Sequence, residues 1–147
     1  MLIGQFWVKM SVKHQVAFPK KFREVLGDTV IITQGFEQAL IVVSESGWKS
    51  LVEDTEQKSV TQASARETKR FLMGGAVNVD LDEKGRFIIP DYLRNYAELG
   101  EEIVFVGLDS YVEIWDKNRW ESYNKELAKN ISSIAERLSP AQEGVKK

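Results

Sequence analysis

The sequence predicts a mainly β fold with helices, of the α+β class. Three observations carry that prediction: the chain repeats itself, both repeats show the same order of strand and helix patterns, and a long helical stripe follows the second. At an offset of 71 residues Gly4 pairs with Gly75, Val8 with Val79, Lys13 with Lys84, Pro19 with Pro90 and Arg23 with Arg94. Val16-Ala17-Phe18-Pro19 lies over Phe87-Ile88-Ile89-Pro90, and Phe22 over Leu93. One net extra residue near Leu26-Gly27 and Leu99-Gly100 then sets Gly35 over Gly107, Leu40 over Val112, Val42 over Ile114 and Trp48 over Trp120.

Each unit opens with an extended segment, 5–10 or 76–81, and passes through a tight turn into a strand of β-branched and aromatic residues that ends at the proline. A short helix follows, over 20–26 and 91–99. Proline suits the first helical turn because its missing N–H has no partner to lose there, and Gly27 and Gly100 are the expected stops. Two more strands, 30–33 with 39–43 and 103–106 with 111–115, are joined by loops of hairpin length holding Gly35 and Gly107. Each unit is thus β-β-α-β-β. Residues 46–55, with Trp48, Leu51 and Val52, and 64–73, with Phe71 and Leu72, read as helices separated by a polar loop at 54–61. After the second unit Trp120, Tyr123, Leu127, Ile131, Ile134 and Leu138 recur at helical spacing and make one apolar stripe, facing either the core or another subunit. The expected organisation is a first unit over 1–48, a helical connector over 49–73, a second unit over 74–120, a C-terminal helix over 121–138 and a disordered tail over 139–147. The two units are expected to form one compact domain.

Composition narrows the function classes. With 43% hydrophobic and 29% charged residues the chain should fold, and no apolar run approaches the roughly 20 residues of a membrane span. The N-terminus lacks a secretory leader pattern, so a cytoplasmic protein with no membrane partner is expected. The absence of cysteine and the single His14 exclude thiolate chemistry and a histidine metal cluster. No Gly-rich phosphate loop or nucleophile motif appears, and Asp80, Asp82 and Glu83 lie at a turn with Lys84 and Arg86 rather than in a dry cleft, so no enzyme, metal, cofactor or small-molecule substrate is expected. The net charge of −2 argues against a uniformly basic surface, yet Lys9, Lys13, Lys20, Lys21 and Arg23 form a run without an acid. Such a run is ordinarily a solvated face; the alternative is contact with phosphates.

The turn Asp82-Glu83-Lys84-Gly85-Arg86 is the most informative segment. If its flanking strands pair as a hairpin, Asp82 and Arg86 face each other as an exposed ion pair, a contact of typically about 0.2–1 kcal/mol, while Gly85 supplies the left-handed residue and Lys84 sits at the tip. The first unit has Ser11, Val12, Lys13, His14 and Gln15 in these places, so a neutral hydrogen bond replaces the ion pair and His14 must take or avoid the conformation of Gly85.

The segments Leu81-Asp82-Glu83-Lys84-Gly85-Arg86-Phe87-Ile88-Ile89-Pro90, Phe71-Leu72-Met73-Gly74-Gly75-Ala76 and Val112-Glu113-Ile114-Trp115-Asp116-Lys117-Asn118-Arg119-Trp120 together resemble the MraZ family of bacterial transcriptional regulators, over nearly the whole chain. The resemblance implies two tandem AbrB-like units, each marked by an Asp-x-x-x-Arg turn, folded as a swapped-hairpin β-barrel. It also implies a ring homo-oligomer that binds double-stranded DNA at the nucleoid, regulating cell-division and cell-wall genes from repeated promoter boxes. On that basis Lys13, Lys84, Arg86, Lys9, Gln15, Lys20, Lys21 and Arg23 are the expected DNA-contacting residues, with Asp82 and Gly85 stabilising the turn. Ser11 and Gln15 depart from the family's acid and arginine, so from the first turn only Lys13 matches the pattern. Two other readings follow: an oligomeric interaction protein that has lost DNA binding, and an antitoxin-like AbrB regulator.

Overall fold

The computed structural model describes residues 1–56 and 61–138. Residues 1–117 form one compact unit, and the chain from Asn118 onward forms a second. The elements are β1 (Leu2–Lys9), β2 (Gln15–Ala17), α1 (Lys20–Leu26), β3 (Thr29–Gln34), β4 (Leu40–Val43), α2 (Glu45–Glu56), α3 (Ala63–Gly74), β5 (Val77–Asp80), β6 (Arg86–Ile88), α4 (Asp91–Ala97), β7 (Glu102–Asp109), β8 (Val112–Asp116) and α5 (Lys117–Glu136). Both units are therefore β-β-α-β-β, each followed by helix, and the α+β class holds. Residues 57–60 of the expected 54–61 loop and the expected tail over 139–147 lie outside the described residues, while 54–56 belong to α2.

All strand pairs are antiparallel, in a six-stranded sheet of order β1-β7-β8-β4-β3-β5 and a two-stranded ribbon of β2 and β6. Exchanging each strand for its counterpart in the other repeat turns the sheet order into its own reverse. The molecule therefore has an internal pseudo-twofold axis, passing between β4 and β8 at the Ile41–Glu113 pair and between β2 and β6 at the Val16–Phe87 pair. The halves are interleaved: β1 pairs only with β7, β5 only with β3, and β2 only with β6.

This exchange corrects the expected hairpin around Lys84. β5 and β6 do not pair with one another beyond the turn; they diverge to β3 and β2 of the other half. Only the turn closes locally, with the Asp82 N–H donating to the Arg86 carbonyl at 3.1 Å. The alignment of the repeats is also corrected in the third strands. Asp80 pairs with Thr29 and Lys9 with Glu102, so Thr29 corresponds to Glu102 at an offset of 73, and Gly107 takes the place of Gln34 rather than Gly35.

The short helices start after Pro19 and Pro90, which sit at the cap rather than inside the first turn. Their carbonyls accept the N–H groups of Phe22 and Arg23 at 3.0 Å each, and of Leu93 and Arg94 at 3.1 and 3.0 Å. Gly27, at φ 89°, stops α1 as expected, but α4 ends two residues early at Glu98, whose φ of 52° makes it the left-handed cap expected of Gly100.

The main core fills the space between the ribbon, α1, α4 and the sheet: Leu2, Val16, Phe22, Leu40, Phe87, Ile89, Leu93 and Phe105 are all buried in it. Phe18 meets Phe105 at a ring separation of 4.9 Å, and Phe6 meets Phe22 edge-on at 4.8 Å. On the opposite sheet face Ile31, Ile41, Val43 and Leu72 gather with Trp48, Leu51 and Phe71 of α2 and α3. Burial on both faces explains why β3 and β4 read as continuous apolar runs instead of alternating ones. The one buried polar side chain of β3, Thr33, donates its hydroxyl to the Leu72 carbonyl at 2.5 Å.

Gly107 is fixed by close approach. A Cβ there would lie 2.7 Å from both Ile3 N and Leu2 C in the neighbouring strand, and backbone cannot turn aside. Gly107→Ala is therefore expected to cost about 1–3 kcal/mol, read as a lowered denaturation midpoint, and to speed amide exchange in 2–9 more than in β4; equal exchange in both strands would contradict the close contact.

Candidate nucleic-acid interface

The second-unit turn is built around one carboxylate. Asp82 Oδ1 accepts the backbone N–H groups of Lys84 at 2.9 Å and Arg86 at 2.8 Å, its carbonyl accepts the Gly85 N–H at 2.8 Å, and Oδ2 takes Arg86 Nε at 2.8 Å. The Arg86 backbone bond, ahead of the Arg86 guanidinium and the Lys84 N–H, holds the Asp82 carboxyl below its usual 3.8 against a smaller desolvation effect. Gly85 has φ 77°, and the Arg23 guanidinium lies against it, with Nη1 2.9 Å from where a Cβ would stand. Arg23 Nη1 donates to the Glu83 carbonyl at 3.1 Å, and the Phe18 N–H donates to the Gly85 carbonyl at 2.8 Å. The first half thus clamps the turn of the second.

The first-unit turn reproduces this scaffold without the ion pair. Ser11 Oγ accepts the N–H groups of Lys13 at 3.2 Å and Gln15 at 3.1 Å, doing for its turn what Asp82 Oδ1 does for the other. The Ser11 N–H bonds the Gln15 carbonyl at 2.9 Å, and His14 adopts the left-handed conformation of Gly85, at φ 63°. Its clamp is missing. Arg94, the counterpart of Arg23, instead bonds the Ile89 carbonyl at 2.5 Å and the Asp91 carboxylate in its own half.

Both turns open onto the β2–β6 ribbon, whose register sets Gln15 opposite Ile88 and Ala17 opposite Arg86. Val16 and Phe87 point into the core, so Gln15, Ala17, Arg86 and Ile88 form the outer face, with exposed Lys13 and Lys84 in the turn at either end. Six of the expected residues are thereby assigned places on or under one surface: Lys13, Lys84, Arg86 and Gln15 on it, Asp82 and Gly85 in the turn. Lys20 and Lys21 are exposed on α1. Lys9 is set apart, opposite Glu102 at the end of β1, where Lys117 also pairs with Glu102 at 3.2 Å. Arg23 is half-buried beneath the turn. The sequence reading did not single out Ile88 and Val12, 56% and 96% exposed. The alternation of Phe87-Ile88-Ile89 was the available signal for Ile88; nothing in the sequence marked Arg23 as a clamp on a turn 60 residues away.

Residues 72–140, which include this turn, match the family model described as "MraZ protein, putative antitoxin-like". "Transcriptional regulator MraZ" of Caldanaerobacter subterraneus subsp. tengcongensis is 38% identical over 138 residues, covering 94% of this chain and 96% of that protein. Proteins of the same name from Clostridium acetobutylicum and Finegoldia magna are 37% and 34% identical over 139 residues, 95% of this chain and 97% of each. The chain belongs to the MraZ family. The family model begins inside α3 and takes in the Asp82–Arg86 turn but not its neutral counterpart. The MraZ relatives nonetheless match over 94% of this chain, which takes in both units.

Because the folded Asp82 carboxyl is the stronger acid, its contribution to stability is present above the ordinary carboxylate value and is lost as pH falls through the lower folded value. NMR titration should find Asp82 titrating below 3.8, with the amide signals of Lys84 and Arg86 moving in that window, and Asp82→Asn should abolish that movement. An ordinary Asp82 titration would overturn this account of the turn.

Proposed function

We propose that this chain is a sequence-specific, DNA-binding transcriptional regulator that reads double-stranded DNA with the outer face of the β2–β6 ribbon. It works as a ring-shaped homo-oligomer on repeated promoter boxes near cell-division and cell-wall genes, at the nucleoid. The observation that carries the reading is the ribbon itself: two turns from opposite halves, related by the internal axis, end one exposed two-stranded element with Lys13, Lys84 and Arg86 on it. A major groove about 12 Å wide admits such a ribbon. Asp82 holds Arg86 by Nε, and no described residue bonds its two terminal nitrogens, so the paired N–H groups that recognise guanine O6 and N7 are held ready. Lys13 and Lys84 serve phosphates at the two ends, and Gln15 and Ile88 offer a polar and an apolar contact beside them. The relatives' name, which is that of a regulator and not of a catalyst, supports the same assignment.

A subunit of net charge −2 holds DNA weakly, and a ring meeting several boxes at once converts weak contacts into tight binding. The neutral Ser11 and Gln15 favour a second reading, an interaction protein that keeps the fold and the assembly but has lost DNA. A gel shift with the fragment upstream of the protein's own gene, against scrambled DNA, separates the two.

Arg86→Ala should weaken specific binding by about 1–3 kcal/mol, roughly 5- to 150-fold, and Arg86→Lys should restore little because it lacks the planar fork; unchanged affinity for both variants would remove Arg86 from the interface. Lys20→Ala and Lys21→Ala should each lower the slope of log affinity against log salt by about 0.9. Lys9→Ala should lower it less, since Glu102 lies opposite. Salt-titrated fluorescence anisotropy measures all three, and an unchanged slope would place α1 away from the phosphates.

A further inference from the structure

Behind the sheet, on the face away from the ribbon, α2 and the β4–β8 pair enclose a cavity of about 300 Å³. Its walls are mainly apolar, formed by Phe36, Ile41, Val43, Leu51 and Tyr111 beside Ser50 and Ser110, and the carboxylate residue Glu113 lines it. Exposed Asp54 also lines it, and no lysine, arginine or histidine does among the described residues. Phe36 stacks on Phe71 at 6.2 Å, which backs that wall of the cavity.

Glu113 is out of place by the logic of the fold. It lies on the internal axis opposite Ile41, the residue that is also its counterpart in the other repeat, so the same architecture accepts an apolar side chain in this position. A carboxylate here loses hydration that isoleucine does not need. One of its oxygens accepts the indole N–H of buried Trp115 at 2.9 Å; no described residue bonds the other, which stays open to the cavity, since no buried side-chain oxygen among the described residues is left unbonded. Burial pushes the Glu113 carboxyl above its usual 4.5, the indole bond opposes this, and the Glu37 carboxylate adds to the push, so a cation placed in the cavity would favour the ionised form that burial disfavours. A carboxylate in an apolar cleft, opposite a position that the other half fills with isoleucine, is a candidate binding group.

We propose that this cavity binds a small organic monocation, an apolar body carrying a primary ammonium group, whose charge pairs with the free oxygen of Glu113 while its body lies against Phe36, Ile41 and Leu51. Charge complementarity selects the cation, and the volume, at the lower end of the range for small-molecule pockets, limits it to about the size of a phenylalkylamine. The site is independent of the ribbon and of any DNA reading, and it supplies the chain with a small-molecule ligand that the sequence did not lead us to expect.

The test uses the full-length protein without DNA. Calorimetric titration with phenethylamine should give saturable binding, with Kd on the order of 1 mM or tighter, and its neutral counterpart 2-phenylethanol should bind at least tenfold more weakly. Methyl signals of Ile41, Val43 and Leu51 should move on adding the amine. Glu113→Gln, which keeps an oxygen acceptor for the Trp115 indole and so preserves the fold, should weaken amine binding at least tenfold. Absence of saturable binding, equal affinity for the alcohol, or an unchanged affinity in Glu113→Gln would overturn the proposal and leave Glu113 only the acceptor for Trp115. If light scattering shows the amine breaking the assembly in a Glu113-dependent way, the cavity belongs to a cationic side chain of a neighbouring copy, and the small-molecule site is equally refuted.

Discussion

Strand exchange between the two halves is the constraint on which everything else in the 1–117 unit depends. Neither repeat pairs its first or second strand with its own third and fourth. β1 finds all eight of its partners in β7, and β5 all four of its partners in β3. Backbone groups of a strand taken out of water need partners, so neither half can bury its strands until the other is in place. The matching bonds on either side of the axis show the same dependence: the Met10 N–H reaches the Glu101 carbonyl at 2.7 Å, and the Leu81 N–H reaches the Asp28 carbonyl at 2.7 Å. Such pairings are long in sequence, and their loop-closure cost makes this topology slower to form than a series of hairpins.

Exchange also builds the exposed ribbon. A three-residue strand alone could not hold an outer face, but β2 and β6 are anchored on the same side by Val16 and Phe87, which meet on the axis and enter the main core. The residues between and beyond them are then forced outward. Placement of Lys84 and Arg86 at a protein surface is in that sense a consequence of the apolar alternation in Phe87-Ile88-Ile89, and the turn's own bonds only refine it. Arg23 completes the arrangement by tying α1 of one half to the Glu83 carbonyl of the other.

What the sequence made legible was local or periodic. The extent of α1, the two proline-led helix starts, the stop at Gly27 and the left-handed position of Gly85 all follow from residue types within a few positions of one another. The repeat revealed that two similar units exist, and the Asp82–Arg86 ion pair was deducible from spacing in the turn. What remained hidden was which partner each strand takes, because an antiparallel pair within a unit and one between units have the same alternation. The shift that brings Thr29, not Val30, onto Glu102 is likewise visible only through cross-half register. Glu98 took over the cap from Gly100 because the Leu99 N–H bonds back to the Arg94 carbonyl at 3.0 Å, closing α4 before the glycine is reached. The unsupported charge of Glu113 had no signal in an otherwise ordinary amphipathic strand.

Pseudo-symmetry offers a sharper guide to function than motif matching does in this chain. Positions where the two halves agree are those the fold demands: Val16 with Phe87, Phe22 with Leu93, Leu40 with Val112, all buried. Positions where they disagree are free of that demand, since the same backbone is built twice with different side chains. Ser11 against Asp82 preserves the turn's two backbone bonds but withholds a charge from the guanidinium position, where Gln15 stands against Arg86. Arg23 against Arg94 keeps the residue and changes its use, from a clamp across the axis to a bond within one half. Ile41 against Glu113 introduces a carboxylate into an apolar wall. None of these differences is needed to close the sheet, and each alters what the surface or cavity offers to a charged partner. The scaffold fixes two equivalent stations, and the side chains make them unequal, so the ribbon has the Asp82–Arg86 ion pair at one end and neutral Ser11 and Gln15 at the other, while the cavity behind the sheet has Glu113 where the other half supplies an isoleucine.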